Sequence, residues 1–238
     1  MRIPIIILHG WGANSSAWQT PKKLLEKMGF SVFIPDLPGF GKSLSPKTAW
    51  SVSDYVDFVV RFAKEKKLEK FILIGHSFGG RIAIKLAADY PENLSGLVLI
   101  GVPLKSKKTP KVLLFALLSK VGKVVFLIPP FSFFAPLARK CLYHLIGEWD
   151  YYKTSGIMKE TFKKIISEDL TASLGKISLS TLVLWGKNDN VTPVSLAYFI
   201  KEKIPLVHLL VLPGATHKLP YEQPEIFVKE VVEFLNNL

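Results

Sequence analysis

The stretch FILIGHSFGGRIAIKLAA, Phe71 to Ala88, decides the fold. It begins as an apolar run suited to a strand, breaks into Gly75-His76-Ser77-Phe78-Gly79-Gly80, and resumes as an alanine-rich helix. Glycine loses more backbone freedom than any other residue in either kind of element. Three glycines around one serine therefore mark a chain that has to turn sharply at Ser77. Gly75 to Gly79 fits G-x-S-x-G, a tight strand-to-helix turn that leaves the serine hydroxyl exposed at the carboxyl end of a strand. On its own this short pattern is weak, and an inert serine in a tight turn would match it as well.

Outward from this stretch, strand and helix signals alternate. IPIIIL (Ile3 to Leu8), FSVFIPD, KFILIG, LSGLVLIG, STLVLWG and VHLLVLPG read as strands. Their continuous Ile, Val and Leu runs suit strands covered on both faces. Between them, helical periodicity is predicted over Ala17–Met28, Ser51–Lys66, Phe78–Asp89, Pro193–Lys203 and Pro224–Leu235, with Ser-Val-Ser-Asp opening the second as a cap. This rhythm predicts an α/β protein with a mostly parallel sheet of about six strands and helices on both faces. The rhythm breaks between about Val102 and Lys176. The expected organisation is a core of residues 1–102 and 177–238, with 103–176 inserted as a helical cap.

Composition narrows the classes. The chain has 238 residues, 49% of them hydrophobic, which is enough for one sizeable core. Its single cysteine, Cys141, permits no internal disulfide and no cysteine-based metal framework, so a cytoplasmic location is expected. MRIPIIILHGWG lacks the features of a signal peptide. Lys120, Lys123 and prolines interrupt the apolar stretch Val112–Ala138 before it reaches the ~18 uncharged residues of a membrane span.

The formal net charge is +12, and no acidic residue occurs between Glu92 and Glu148. That interval carries Lys105, Lys107, Lys108, Lys111, Lys120, Lys123, Arg139 and Lys140 among Leu, Val and Phe. It suits an anionic lipid surface or an acidic carrier protein, and equally a solvated lysine-rich face. No recognition motif for nucleic acid accompanies it.

A serine hydroxyl near neutral pH needs a base, and the base needs an orienting acid. Of the five histidines, His208 lies within a predicted strand and is expected to pack there, and His144 belongs to the insertion. His76 should point away from Ser77, and His9 ends the first strand. His217 remains, in the loop PGATHKLPYEQP after the last strand. Asp189, in LVLWGKNDNVTP, lies just past the preceding strand and is the leading acid, although it could also cap a helix. Asp150 is the weaker competitor. The order Ser77, Asp189, His217 places three residues at three strand ends, where ligands bind an open parallel sheet. Acyl transfer also needs two N–H donors for the oxyanion. Phe78 supplies one and Trp11, between Gly10 and Gly12, the other. No metal or organic cofactor is implied.

HGWGANSSAW, DLPGFGKS, GHSFGG, WGKNDNVTP and GATHKLPYEQP together resemble the α/β-hydrolase superfamily, in order and over almost the whole chain. The first two are similar in particular to the pimeloyl-[acyl-carrier protein] methyl ester carboxylesterase type. The resemblance implies a triad at Ser77, Asp189 and His217, oxyanion amides at Trp11 and Phe78, a cap over the site, and a sheet lacking the first two of the usual eight strands. It implies a serine hydrolase acting on a small-molecule carboxylic ester, and the apolar cap residues Phe115, Phe126, Phe131, Phe133 and Phe134 suit an acyl or aromatic group beneath them. The alternatives it leaves are an acyl-carrier-protein esterase or thioesterase, a carbon–carbon bond hydrolase, and a ligand sensor on a hydrolase scaffold.

Overall fold

The computed structural model describes residues 2–104 and 154–238. Most of the expected cap and its lysine cluster therefore lie outside the described residues, as do His144 and Asp150. Six strands form one all-parallel sheet: β1 (Ile5–Leu8), β2 (Val32–Phe33), β3 (Phe71–His76), β4 (Leu94–Ile100), β5 (Thr181–Gly186) and β6 (Val207–Leu212). Their spatial order is β2-β1-β3-β4-β5-β6. The chain leaves β1 for the β2 edge and then crosses back to β3. The gap between the ends of β1 and β3 is thus the switch point, where an open parallel sheet has its natural crevice.

Alternation along the strands divides the core in two. Ile6, Leu8, Leu73, Leu97, Leu99, Val183 and Trp185 face one apolar layer; Ile5, Ile7, Ile72, Ile74, Val98, Ile100, Leu182 and Leu184 face the other. The first layer is closed by α2 (Val52–Glu65), α3 (Phe78–Asp89), α4 (Gly156–Ser167), the short α5 (Thr171–Leu174) and α6 (Ser195–Lys203). The second is closed by α1 (Gln19–Lys27) and α8 (Pro224–Asn236), with the short α7 (Leu219–Glu222) alongside.

The local signals act as their chemistry dictates. Ser51 caps α2 in a reciprocal box: its hydroxyl accepts from Asp54 N–H, and Asp54 accepts from Ser51 N–H. The predicted second strand shrinks to two residues, because Pro35 has no N–H for a ladder and β2 is an edge. His208 does not pack inside the sheet as expected. β6 is the opposite edge, and His208 is exposed on it. Among the described residues no helix is long and apolar enough to cross a membrane.

Candidate active site

Ser77 has φ 51° and ψ −112°, one of two non-glycine residues at positive φ among the described residues. Such a conformation costs about 1–3 kcal/mol and persists only when its surroundings fix it. Here they do. Ser77 N–H donates to Ile100 O at 2.8 Å, and Ser77 O accepts from Gly80 N–H at 3.0 Å. A Cβ at Gly75 would lie 2.6 Å from Gly79 O, and one at Gly79 would lie 2.2 Å from Leu8 O. The two motif glycines let α3 sit directly on β3 and β1, and the serine is carried on the resulting bend.

The loop after β1 runs beside it. Gly10 to Ala13 form a turn closed by Ala13 N–H to Gly10 O at 3.2 Å, with Gly12 at φ 72° in the third position. A side chain at Gly10 would start 3.4 Å from Ser77 Cβ. Phe78 is the first residue of α3, so its N–H has no acceptor within the helix. The Trp11 and Phe78 rings meet edge to face at 5.2 Å.

His9, buried below this loop, accepts Leu37 N–H at Nε2 (3.0 Å), which puts its proton on Nδ1 for donation to Gly10 O (2.8 Å). Burial lowers its pKa, with the Gly10 bond and Asp36 acting in the opposite sense, so the ring is neutral. Asp36 accepts Ser15 N–H and Lys42 N–H, tying the β1 loop to the DLPGFGK loop. Alongside lies a cleft of about 620 Å³, lined by Trp11, Phe40, Ser45, Thr154 and Met158.

The candidate acid and base pair directly. His217 Nδ1 lies 2.7 Å from Asp189 Oδ2, which leaves Nε2 with a free electron pair. Asp189 also accepts from Val191 N–H, Thr192 N–H and the Thr192 hydroxyl at 2.7–2.8 Å. Burial by itself would raise the Asp189 pKa. The hydrogen bond and charge of His217, together with Thr192, more than offset this and hold it below the ordinary carboxylate value.

Ser77 and the pair share neighbours on two sides. Ile100 receives the Ser77 N–H bond, and at the adjacent Gly101 (φ 55°) a Cβ would lie 2.9 Å from His217 Nδ1 and 3.3 Å from Asp189 Oδ2. On the other side His76 Nε2–H donates to His217 O at 2.8 Å, and the rings of the two histidines are 4.9 Å apart.

His76 therefore does turn away from the serine, yet it holds the loop of the base. Its Nδ1 accepts from Tyr221 OH at 3.2 Å. Burial first, and then His217, lowers its pKa to about 3, so it is a neutral strut. Sequence reasoning missed His76, Tyr221, Thr192 and Gly101. Thr192 carried a signal, since D-x-x-T after a strand suits a carboxylate held by backbone and hydroxyl donors. The other three become legible only when separate strand ends meet.

Residues 3–124, just over half the chain, match the alpha/beta hydrolase fold family, and the chain belongs to that family. A Mycoplasma pneumoniae protein carrying a provisional esterase/lipase name is 29% identical, over 98% of this chain and 89% of its own. A 2-hydroxy-6-oxononadienedioate/2-hydroxy-6-oxononatrienedioate hydrolase of Pseudomonas putida is 26% identical, over 98% and 88%. The solved structure of an esterase from Exiguobacterium antarcticum superposes with a TM-score of 0.78 at 23% identity, covering 98% of this chain and 92% of its own. These relatives support the family without singling out the pimeloyl carboxylesterase type.

Proposed function

We propose that the protein is a serine hydrolase that cleaves carboxylic esters through an acyl-enzyme. The observation that carries this is the strained Ser77, bonded through its N–H to Ile100 O, with a His217–Asp189 pair joined at 2.7 Å against the next residue, Gly101. His217 Nε2 takes the proton from Ser77 Oγ as the oxygen attacks the ester carbon. The carbonyl π pair moves onto oxygen, where Trp11 and Phe78 N–H groups receive it. Collapse of the tetrahedral adduct breaks the bond to the alkoxy oxygen, which leaves with the proton from His217. Water then repeats the sequence on the acyl-serine and restores the free hydroxyl. Asp189 stays ionised throughout and holds the imidazole with Nε2 facing the reaction.

The test is a chain-length series of p-nitrophenyl esters with wild type and Ser77→Ala. Turnover by Ser77→Ala should fall by about four orders of magnitude or more, and wild-type turnover in that variant would end the proposal. A second reading, hydrolysis of a carbon–carbon bond, is favoured by the 2-hydroxy-6-oxo substrate named for the Pseudomonas relative. Turnover of such a dienedioate at a higher kcat/KM than any ester in the series would replace the first reading by the second. The acidic carrier protein remains a proposal that rests on the basic segment Lys105–Lys140. If it holds, added salt raises KM for a carrier-bound ester and leaves KM for a small ester unchanged.

A further inference from the structure

Arg81 is 2% exposed and carries a charge into the core of α3, one turn past the serine. Its fork reaches two segments that are distant in sequence. Nη1 donates to Pro103 O at 2.8 Å and Leu104 O at 2.9 Å, where the chain leaves the sheet after β4. Nη2 donates to Ile165 O at 2.8 Å and Glu168 O at 2.5 Å, where α4 ends and the chain returns. The two segments also touch each other, through Leu170 N–H to Leu104 O at 3.3 Å.

Neighbouring contacts reinforce the junction. A Cβ at Gly80 would lie 2.2 Å from Val102 Cγ2, so the outgoing segment packs flush on α3. Lys85, one turn further along, pairs with Glu168 at 3.2 Å. Burial pulls the Arg81 pKa down to about 10, against the pull of Glu168 and Asp169, so the guanidinium is charged near neutral pH. Positive charge at the carboxyl end of α4 also complements that helix's dipole. A lysine could not do this, because its donors radiate from one point and cannot span four carbonyls in two segments.

The first and middle turns of α4 face the candidate site. Phe162 meets the Trp11 ring edge to face at 4.9 Å, and Met158 covers Gly39, where a Cβ would lie 2.3 Å from its Cε. Just before α4, Thr154 Oγ1 accepts Trp11 Nε1–H at 3.1 Å. Met158 and Thr154 line the cleft beside the β1 loop. Held at its carboxyl end by α3, α4 presents its earlier turns as the wall of that cleft.

We propose that Arg81 is a positioning residue that locks the cleft wall α4 to the nucleophile helix and thereby sets the size of ester the site accepts. This rests on the serine-hydrolase reading above for its kinetic consequence, but not for the clamp itself. Two measurements separate them, using Arg81→Lys and Arg81→Met.

In the first, KM for p-nitrophenyl octanoate should rise about tenfold in Arg81→Lys, and further in Arg81→Met, while kcat on the acetate changes by less than about twofold. In the second, hydrogen exchange should quicken over residues 156–174 while strands β3 and β4 keep wild-type protection. Parallel losses of kcat on both esters with KM unchanged would overturn the proposal. So would wild-type exchange in α4, or a uniform loss of protection across the sheet. Should Ser77→Ala hydrolyse esters like wild type, the hydrolase reading fails, and the exchange measurement still decides whether Arg81 clamps α4.

Discussion

Strands β3 and β6 run parallel in the same sheet, and the chain just beyond each supplies a candidate catalytic side chain, but the two side chains are held by different means. β3 is central and every residue of it is buried; β6 is an edge whose residues are half-buried or exposed. Ser77 is fixed largely by its own neighbourhood in sequence, through flanking glycines and the bond from Gly80 N–H to its carbonyl, with one bond to another strand, from its N–H to Ile100 O. His217 is fixed by groups from other strand ends, namely Asp189 after β5, His76 at the end of β3 and the space left at Gly101 after β4. The candidate nucleophile, at positive φ, directly follows a strand that is buried along its whole length. The candidate base sits in a loop, held by hydrogen bonds at its Nδ1 and its carbonyl.

Several changes would break or sharpen this contrast. The largest effect is expected from Ser77→Gly, which removes the hydroxyl but suits the positive φ. Ester turnover should fall by at least about 10⁴-fold. Its urea midpoint should correspond to about 1 kcal/mol more stability than that of Ser77→Ala. Equal midpoints for the two variants would show that the bend at residue 77 is unstrained.

Gly101→Ala attacks the other half of the site. The new methyl group would meet His217 Nδ1 and push the ring from its place, and at φ 55° it also strains the backbone beside Ile100, which holds the Ser77 N–H. A loss of about 100-fold in kcat is expected from a displacement near 1 Å. Full activity would mean that the base is not held where Gly101 makes room for it.

A smaller effect belongs to Thr192→Val, which deletes one hydroxyl donor to Asp189. The expected cost is about tenfold in kcat/KM, the scale of one hydrogen bond to a charged group. Losing a donor to the carboxylate also raises the Asp189 pKa, so the acid limb of the Asp189 carboxylate titration, followed by carbon-13 NMR, should move upward. An unmoved limb would assign Thr192 a packing role alone.

The remaining effect is on stability in acid rather than on turnover. His76 titrates near 6.5 when unfolded but at about 3 when folded, so between these values the unfolded chain binds the extra proton. The stability from keeping His76 neutral is complete above about pH 6.5 and is lost as pH falls toward 3. Buried His9 acts in the same direction. His76→Gln keeps a donor and an acceptor but cannot titrate there. Its denaturant midpoint should therefore fall less steeply than that of wild type from pH 6.5 to about 4. Identical slopes would remove His76 as a source of acid sensitivity.

Much of the site was legible because its signals are local. G-x-S-x-G reports a bend, and the observed helix begins at Phe78 and ends at Asp89, as periodicity predicts. Asp189 and His217 could be ranked because each follows a strand, and the structure pairs them. The strut His76 was set aside, since nothing nearby in sequence names its partner, a carbonyl 141 residues away. β2 was overestimated because Phe30–Asp36 has strand composition, while ladder pairing depends on what lies beside it. His208 was expected inside because its strand is apolar, and only strand order shows that β6 is an edge.

The amino-acid sequence by itself determined the alternation of strands and helices and the sharp bend that lifts Ser77, since periodicity and glycine placement act over a few residues. It also determined which acid and base were available. Tertiary structure alone decided that His217 rests on His76, that Gly101 opens the space for its ring, and that Arg81 joins segments more than 60 residues apart. The reason is physical: a hydrogen bond to a backbone carbonyl leaves no mark on the identity of the residue that accepts it, so the acceptor is revealed only when the chain has closed.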